Sequence, residues 1–129
     1  MRRSIAAIGG LLLLNGCSDA CGNTPVSVIQ SPDGLHNAVL FQRDCGATTS
    51  FATHVSVLDT DEMPSGSGNT FIADDDHSAA AVEKWGGPWA EIKWLAEDHL
   101  LIRYAAGSRI FEQDEQVSGV RVSYQQVQR

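Results

Sequence analysis

Basic residues are scarce and dispersed in this chain of 129 residues, which has 9 lysines and arginines against 16 aspartates and glutamates. The formal net charge is −7 at pH 7, and the one adjacent basic pair is Arg2-Arg3. Phosphate groups repel an acidic chain that has no basic cluster. The composition therefore argues against nucleic acids and against anionic lipid headgroups as partners.

The sequence also lacks the motifs that carry catalysis or metal binding in many protein families. It has no GxSxG, no HExxH and no phosphate loop, since no lysine follows the glycine-rich residues 65–68. The acidic run at residues 74–77 lacks the spacing of a calcium loop, and the four histidines lack zinc-ligand spacing. We therefore assign no cofactor and no metal, and we interpret residues 74–77 as a solvated loop.

Long apolar runs are missing too, because the longest, residues 5–14, has ten residues. As a helix it would measure about 15 Å, half of what a bilayer core requires. A short apolar run that follows Arg2 and Arg3 is typical of a secretory signal peptide. We therefore predict that the protein is exported and that residues 1–16 are its signal peptide.

The run ends in Leu14-Asn15-Gly16-Cys17, which resembles the lipobox of bacterial lipoproteins. Leu14, Gly16 and Cys17 match that motif, whereas Asn15 departs from the alanine or serine that is usual there. The resemblance implies cleavage after Gly16, lipid on Cys17 and acylation of the new amino terminus. Two or more acyl chains hold a protein stably on a membrane. The alternative is an ordinary signal peptide with a later cut and no lipid on Cys17.

The predicted location is the cell envelope. By resemblance to the sorting signals of diderm bacteria, Ser18 favours the outer membrane, facing the periplasm, whereas Asp19 favours retention at the inner membrane. Residues 17–25 are mostly small or polar and predict a lipidated tether. Residues 26–129 have the size of a single compact domain.

Beyond the tether, apolar residues recur in short segments, some with a period of two, which is typical of half-buried strands. The sequence Ser-Pro-Asp-Gly at residues 31–34 has proline and glycine where a type I turn favours them. We predict an all-β domain, either a small antiparallel sandwich or a curled meander. Its seven or so strands would lie near residues 26–29, 38–41, 51–58, 69–73, 91–94, 100–104 and 120–125.

One segment, near residues 76–85, is compatible with a short helix. Asp74-Asp75-Asp76 would cap its N-terminus, its alanines have high helix propensity, and Gly86-Gly87-Pro88 would end it. An acidic, alanine-rich loop explains the same residues, so both interpretations stay open.

The sequences RDCGATT at residues 43–49 and HVSVL at residues 54–58 resemble a family of small uncharacterised bacterial envelope proteins. The resemblance extends to the turn at residues 31–34 and to residues 94–104, and so to most of the domain. It implies one folded unit and brings no established activity.

Two cysteines, Cys21 and Cys45, remain once Cys17 is lipidated, and exported thiols are normally oxidised. Cys21 lies just before the first predicted strand and Cys45 just after the second. A hairpin through residues 31–34 would bring them together at its open end, so we predict a structural disulfide. The alternative is a nucleophilic Cys45 assisted by His54.

Trp85 and Trp89 flank Gly86-Gly87-Pro88 and form the candidate binding surface. Two indoles around a turn suit the stacking of sugar rings or the grip of a partner protein. The alternative is that they are core residues, as we predict for Trp94 on its alternating strand.

These observations favour a non-catalytic interaction or structural module, anchored in the membrane by its lipid. Its partner would be an envelope protein or a glycan. One alternative is a ligand-binding or inhibitor module that uses Trp85 and Trp89. The other is a small enzyme that uses either Cys45 with His54 or Asp76 with His77.

Overall fold

The computed structural model describes residues 21–46 and 51–129. The predicted signal peptide, the lipidation site at Cys17 and residues 17–20 of the predicted tether lie outside these ranges. No helix in the described residues is long and apolar enough to cross a membrane.

The described residues form nine strands and no helix, which confirms the predicted all-β fold. The first sheet has the strand order β1-β2-β3-β4-β7, and the second has the order β5-β6-β9-β8. The strands are β1 (Gly22–Gln30), β2 (His36–Asp44), β3 (Ala52–Asp59), β4 (Phe71–Asp74), β5 (Ala90–Ala96), β6 (His99–Ala105), β7 (Arg109–Gln113), β8 (Gln116–Val117) and β9 (Val120–Val127).

The two sheets bury one hydrophobic core between them. Successive side chains of a strand point to opposite faces, so alternate residues of each sheet face the core. Burying their apolar surface stabilises the fold at about 25 cal/mol per Å². The first sheet contributes Ala38, Leu40, Val55, Val57, Phe71 and Ala73, and the second contributes Ala90, Ile92, Leu100, Ile102, Val120 and Val122.

The predicted first hairpin is present. At its turn the amide of Gly34 donates to the carbonyl of Ser31 over 2.9 Å, and Gly34 adopts a φ of +75°. Register along β1 and β2 continues to the pair Gly22–Asp44 at the open end. Cys21 and Cys45 follow directly, with Cα atoms 4.0 Å apart and a disulfide between them. The predicted disulfide is therefore confirmed.

The helix near residues 76–85 is not formed, and the alternative interpretation, a loop, is correct. Asp76, His77 and Ser78 have φ values of +49°, +55° and +74°, which a right-handed helix excludes. The amide of Asp76 donates to the side chain of Asp74, and the amide of Ser78 to that of Asp75. Short acidic side chains thus bond the local backbone and compete with helical hydrogen bonds.

The structure has nine strands where about seven were predicted, and its second sheet is mixed rather than antiparallel throughout. After β6 the chain crosses to the first sheet as β7, which pairs with β4, and returns as β8 and β9. This detour lets β9 lie parallel to β6. β7 was not predicted because its apolar residues do not alternate with polar ones: Ile110 packs against the core, whereas the adjacent Phe111 is 60% exposed.

The predicted tether, residues 17–25, overlaps the first strand, because β1 begins at Gly22. Residues 22–25 pair with β2, with Pro25 opposite Phe41 next to a register shift. Proline has no amide hydrogen to donate, but the outermost strand of a sheet, at a bulge, tolerates it.

The disulfide gives the first testable prediction. Replacing Cys21 and Cys45 together with serine should lower the free energy of unfolding by about 3.5 kcal/mol, because the bridge closes a loop of roughly 25 residues in the unfolded chain. Urea unfolding followed by tryptophan fluorescence measures this loss. Reducing agent should shift the wild type to the same midpoint and leave the double variant unchanged. Alkylation of Cys21 or Cys45 in denatured, unreduced protein would contradict the bridge.

Candidate binding groove

An open groove of about 350 Å³ lies where β1 of the first sheet faces β5 of the second. β1 and β5 are the end strands of their sheets, and within residues 21–46 and 51–129 no strand closes the gap between them. Its lining is apolar with two acidic side chains, and it includes both tryptophans of the predicted binding surface. The lining residues are Val26, Ser27, Ile29, Leu40, Glu83, Trp85, Trp89, Ala90, Glu91 and Ile92.

The groove is the open margin of the core between the sheets. Ile29 pairs with the core residue Ala38, and Leu40 belongs to the core itself. Trp94 joins the two sheets here, because its indole Nε1 donates to the carbonyl of Ile29 over 2.9 Å. Val26 and Ile29 keep 40% and 37% of their surface exposed. The apolar floor of the groove is therefore accessible to a ligand.

Trp85 is held firmly at the back of the groove. Its Nε1 donates to Oγ1 of the buried Thr53 over 2.9 Å, and that hydroxyl donates to the carbonyl of Pro88. The side chain of Gln42 donates to the carbonyl of Trp85. A Cβ on Gly87 would clash with Oγ1 of Thr53, so the Gly-Pro step lets the loop approach β3. Trp85 thus packs against the core and lines the groove at the same time.

Trp89 is half-buried, and arginines contact its indole. Its backbone is fixed on both sides, because its amide donates to Ala81 and its carbonyl accepts from Ala105. The guanidinium carbon of Arg129 lies 4.3 Å from the ring centroid, and that of Arg103 lies 5.8 Å away. Both distances are in the range of cation–π attraction.

The acidic residues of the groove pair with these same arginines. Glu91 accepts from Arg103 over 2.6 Å, and Glu83 lies 3.7 Å from the guanidinium of Arg129. The four side chains are 32–48% exposed, so each pair contributes at most about 1 kcal/mol to stability. The rim of the groove therefore combines one indole, carboxylates and guanidinium groups. Breaking these exposed ion pairs to admit a ligand would cost little free energy.

Both residues of the candidate catalytic pair Cys45 and His54 are engaged in structural contacts. Cys45 is bonded to Cys21 and offers no thiol. His54 is 4% exposed, stacks on Phe41 with ring centroids 5.3 Å apart, and accepts from the amide of Gly68. Burial, with the nearby positive charge of Arg43, lowers the pKa of His54 to about 4. His54 therefore fastens the loop between β3 and β4 onto the outer face of the first sheet.

Asp76 and His77 lie in the turn after β4, away from the groove lining. The neighbouring Asp74 is bound by Arg109 through two hydrogen bonds of 2.6 and 3.1 Å, and this pairing lowers the pKa of Asp74 despite its burial. Within the described residues no three histidine, cysteine or acidic side chains cluster in a way that could hold a metal ion.

Several residues of the groove were missed from the sequence. Val26 and Ile29 read as an ordinary strand, and nothing marked that strand as the exposed end of a sheet. Glu83 and Arg129 lie far apart along the chain.

Outside the groove, the polar pair His99 and Ser123, with a 2.6 Å contact, was also missed because it depends on β6 and β9 being parallel neighbours.

Comparison with known protein families, with curated proteins and with solved structures finds no match for this chain. The resemblance to small envelope proteins therefore stays a prediction.

The second testable prediction concerns pH and His54. Its pKa is about 4 in the folded protein and about 6.5 unfolded, so the unfolded chain binds more protons between these values. The contribution of the neutral, buried His54 to the free energy of unfolding should be fully present above pH 6.5. It should fall by roughly 3 kcal/mol as the pH drops to 4. Urea midpoints across that range test it. His54→Gln keeps an acceptor for Gly68 and should flatten the slope. An unaltered slope in His54→Gln would contradict the prediction.

Proposed function

We propose that this protein is an envelope-anchored, non-catalytic binding module that holds its partner in the groove between β1 and β5. One observation carries the proposal: Trp85 and Trp89 line the same open groove as the exposed apolar residues of β1. Aromatic side chains beside accessible apolar surface are typical of binding sites, where large rigid groups provide most of the affinity.

A binding role agrees better with these residues than either catalytic alternative. In the Cys45 and His54 pair, the sulfur of Cys45 is bonded to Cys21 and is no longer a nucleophile. The ring of His54 accepts a hydrogen bond from the amide of Gly68 in the loop after β3. The groove has only acidic ionisable groups in its lining, Glu83 and Glu91, and both lie beside arginines. This arrangement favours recognition by shape and charge.

The proposed lipid on Cys17 would keep the groove close to the membrane. Cys21 lies four residue steps after Cys17, a span of at most about 14 Å when extended. The disulfide then fastens the chain to β2, and Val26 follows five residues along β1, about 17 Å further. The groove would therefore begin within roughly 30 Å of the lipid surface. An envelope protein or a glycan near that surface fits this position.

The third testable prediction concerns the anchor. Cys17→Ser should leave an unprocessed precursor without lipid, because the thioether has no sulfur to form on. Mass spectrometry of the protein from bacterial membranes should find the mature chain beginning at a lipidated Cys17. Asn15→Ala, which brings the motif closer to the usual lipobox, serves as the control and should be processed normally. A wild-type protein with unmodified Cys17 would contradict the anchor.

The fourth prediction separates the two tryptophans. Trp89→Ala should abolish partner binding with little loss of stability, since Trp89 is half-buried at the rim. Trp85→Ala should instead destabilise the fold, because its partly buried indole packs against the core and Thr53 loses its partner, although by less than the about 3–5 kcal/mol that truncating a fully buried tryptophan costs.

A photo-crosslinking amino acid at Val26, on the floor of the groove, measures in living bacteria whether partner binding depends on Trp89. Discrete adducts should form and should vanish in Trp89→Ala. The same probe at Phe111, an exposed aromatic outside the groove, provides the matched control and should give none of these adducts. Adducts at Val26 that persist without Trp89 would contradict the proposed site.

A further inference from the structure

We propose that the groove takes an extended, arginine-bearing segment of an envelope protein, whose guanidinium replaces that of Arg129 between Trp89 and Glu83. This inference rests on the proposed binding function and adds the chemical class of the partner to it.

The rim already binds guanidinium groups of its own chain. Arg129 lies 4.3 Å from the centroid of the Trp89 ring and 3.7 Å from Glu83. Arg103 repeats the combination with the same indole and with Glu91. An indole face attracts a cation and a carboxylate pairs with it, so the two together form a subsite for arginine.

Arg129 is bound loosely enough to be displaced. Its side chain is 43% exposed, and its 3.7 Å approach to Glu83 is longer than a hydrogen bond. Exposed ion pairs of this kind contribute at most about 1 kcal/mol. By contrast, the 2.6 Å pair of Arg103 with Glu91 is a direct hydrogen bond, and Gln125 also accepts from Arg103. The replaceable cation is therefore Arg129.

A polypeptide segment would also cover apolar surface of the groove that stays exposed beside Arg129. Val26 and Ile29 beside the subsite remain well exposed. An extended segment that alternates arginine with apolar residues would cover this floor while its guanidinium lies on Trp89. β1 and β5 are end strands, whose outer edges are the positions where extended segments add to sheets.

Charge complementarity favours the same class of partner. The chain carries a net charge of −7, so a cationic segment is attracted from a distance. A neutral glycan would stack on the indoles without needing Glu83. Dependence on positive charge in the ligand therefore distinguishes a basic segment from a sugar.

The test uses the full chain in nonionic detergent and two fluorescent hexapeptides that alternate valine with either arginine or citrulline. Citrulline keeps the shape of arginine and removes its charge. Fluorescence anisotropy should show the arginine peptide binding about tenfold more tightly. Glu83→Gln should weaken its binding severalfold, and Trp89→Ala should abolish it. Arg129→Gln should tighten it about threefold, since it removes the competing guanidinium.

Phe111→Ala is the matched control, because Arg109 lies 5.2 Å from that ring but Phe111 does not line the groove, so affinity should not change. Equal binding of the two peptides would overturn the inference, and so would weaker binding in Arg129→Gln. If neither peptide binds while Val26 adducts still depend on Trp89, the inference fails and the proposed function stands. If those adducts are independent of Trp89 as well, both fail.

Discussion

The packing of two sheets across a single apolar core is the constraint on which the rest of this structure depends. Both sheets turn one face inward, and the core residues come in comparable number from each. The sheets do not join where β1 faces β5, although Trp94 ties one to the other through the carbonyl of Ile29. The groove exists because this margin of the core is left open.

A second link connects the core with the proposed site. Thr53 lies in the buried part of β3 and binds the segment of Trp85 and Pro88 through two hydrogen bonds. Trp85 is thereby part of the fold, whereas Trp89, four residues later, is half-buried and carries the proposed binding role. The same tryptophan-rich turn thus combines a rigid support with an accessible indole, which reduces the ordering cost of binding.

Local pattern was sufficient wherever neighbours in sequence are neighbours in space. The turn at residues 31–34, the hairpin of β1 and β2 and the Cys21–Cys45 bridge follow from one short stretch of chain. The tryptophan pair could be found as well, but the different surroundings of the two indoles could not, because they depend on Thr53 and Arg129 from distant parts of the sequence. For the same reason the acidic and apolar residues that complete the groove were missed.

The sequence by itself determined the strand-forming periodicity of the core, the first turn and the partner of each bridging cysteine, since these depend on alternation and on short-range geometry. Only the tertiary structure decided the rest. Residues 76–85 form a loop because side chains of the aspartates capture the local backbone. β7 exists because β4 offers it an edge, and β9 lies parallel to β6 because the chain returns from that detour. Long-range pairing of this kind leaves no trace in local propensity, because a strand gains its stability from the neighbour it meets.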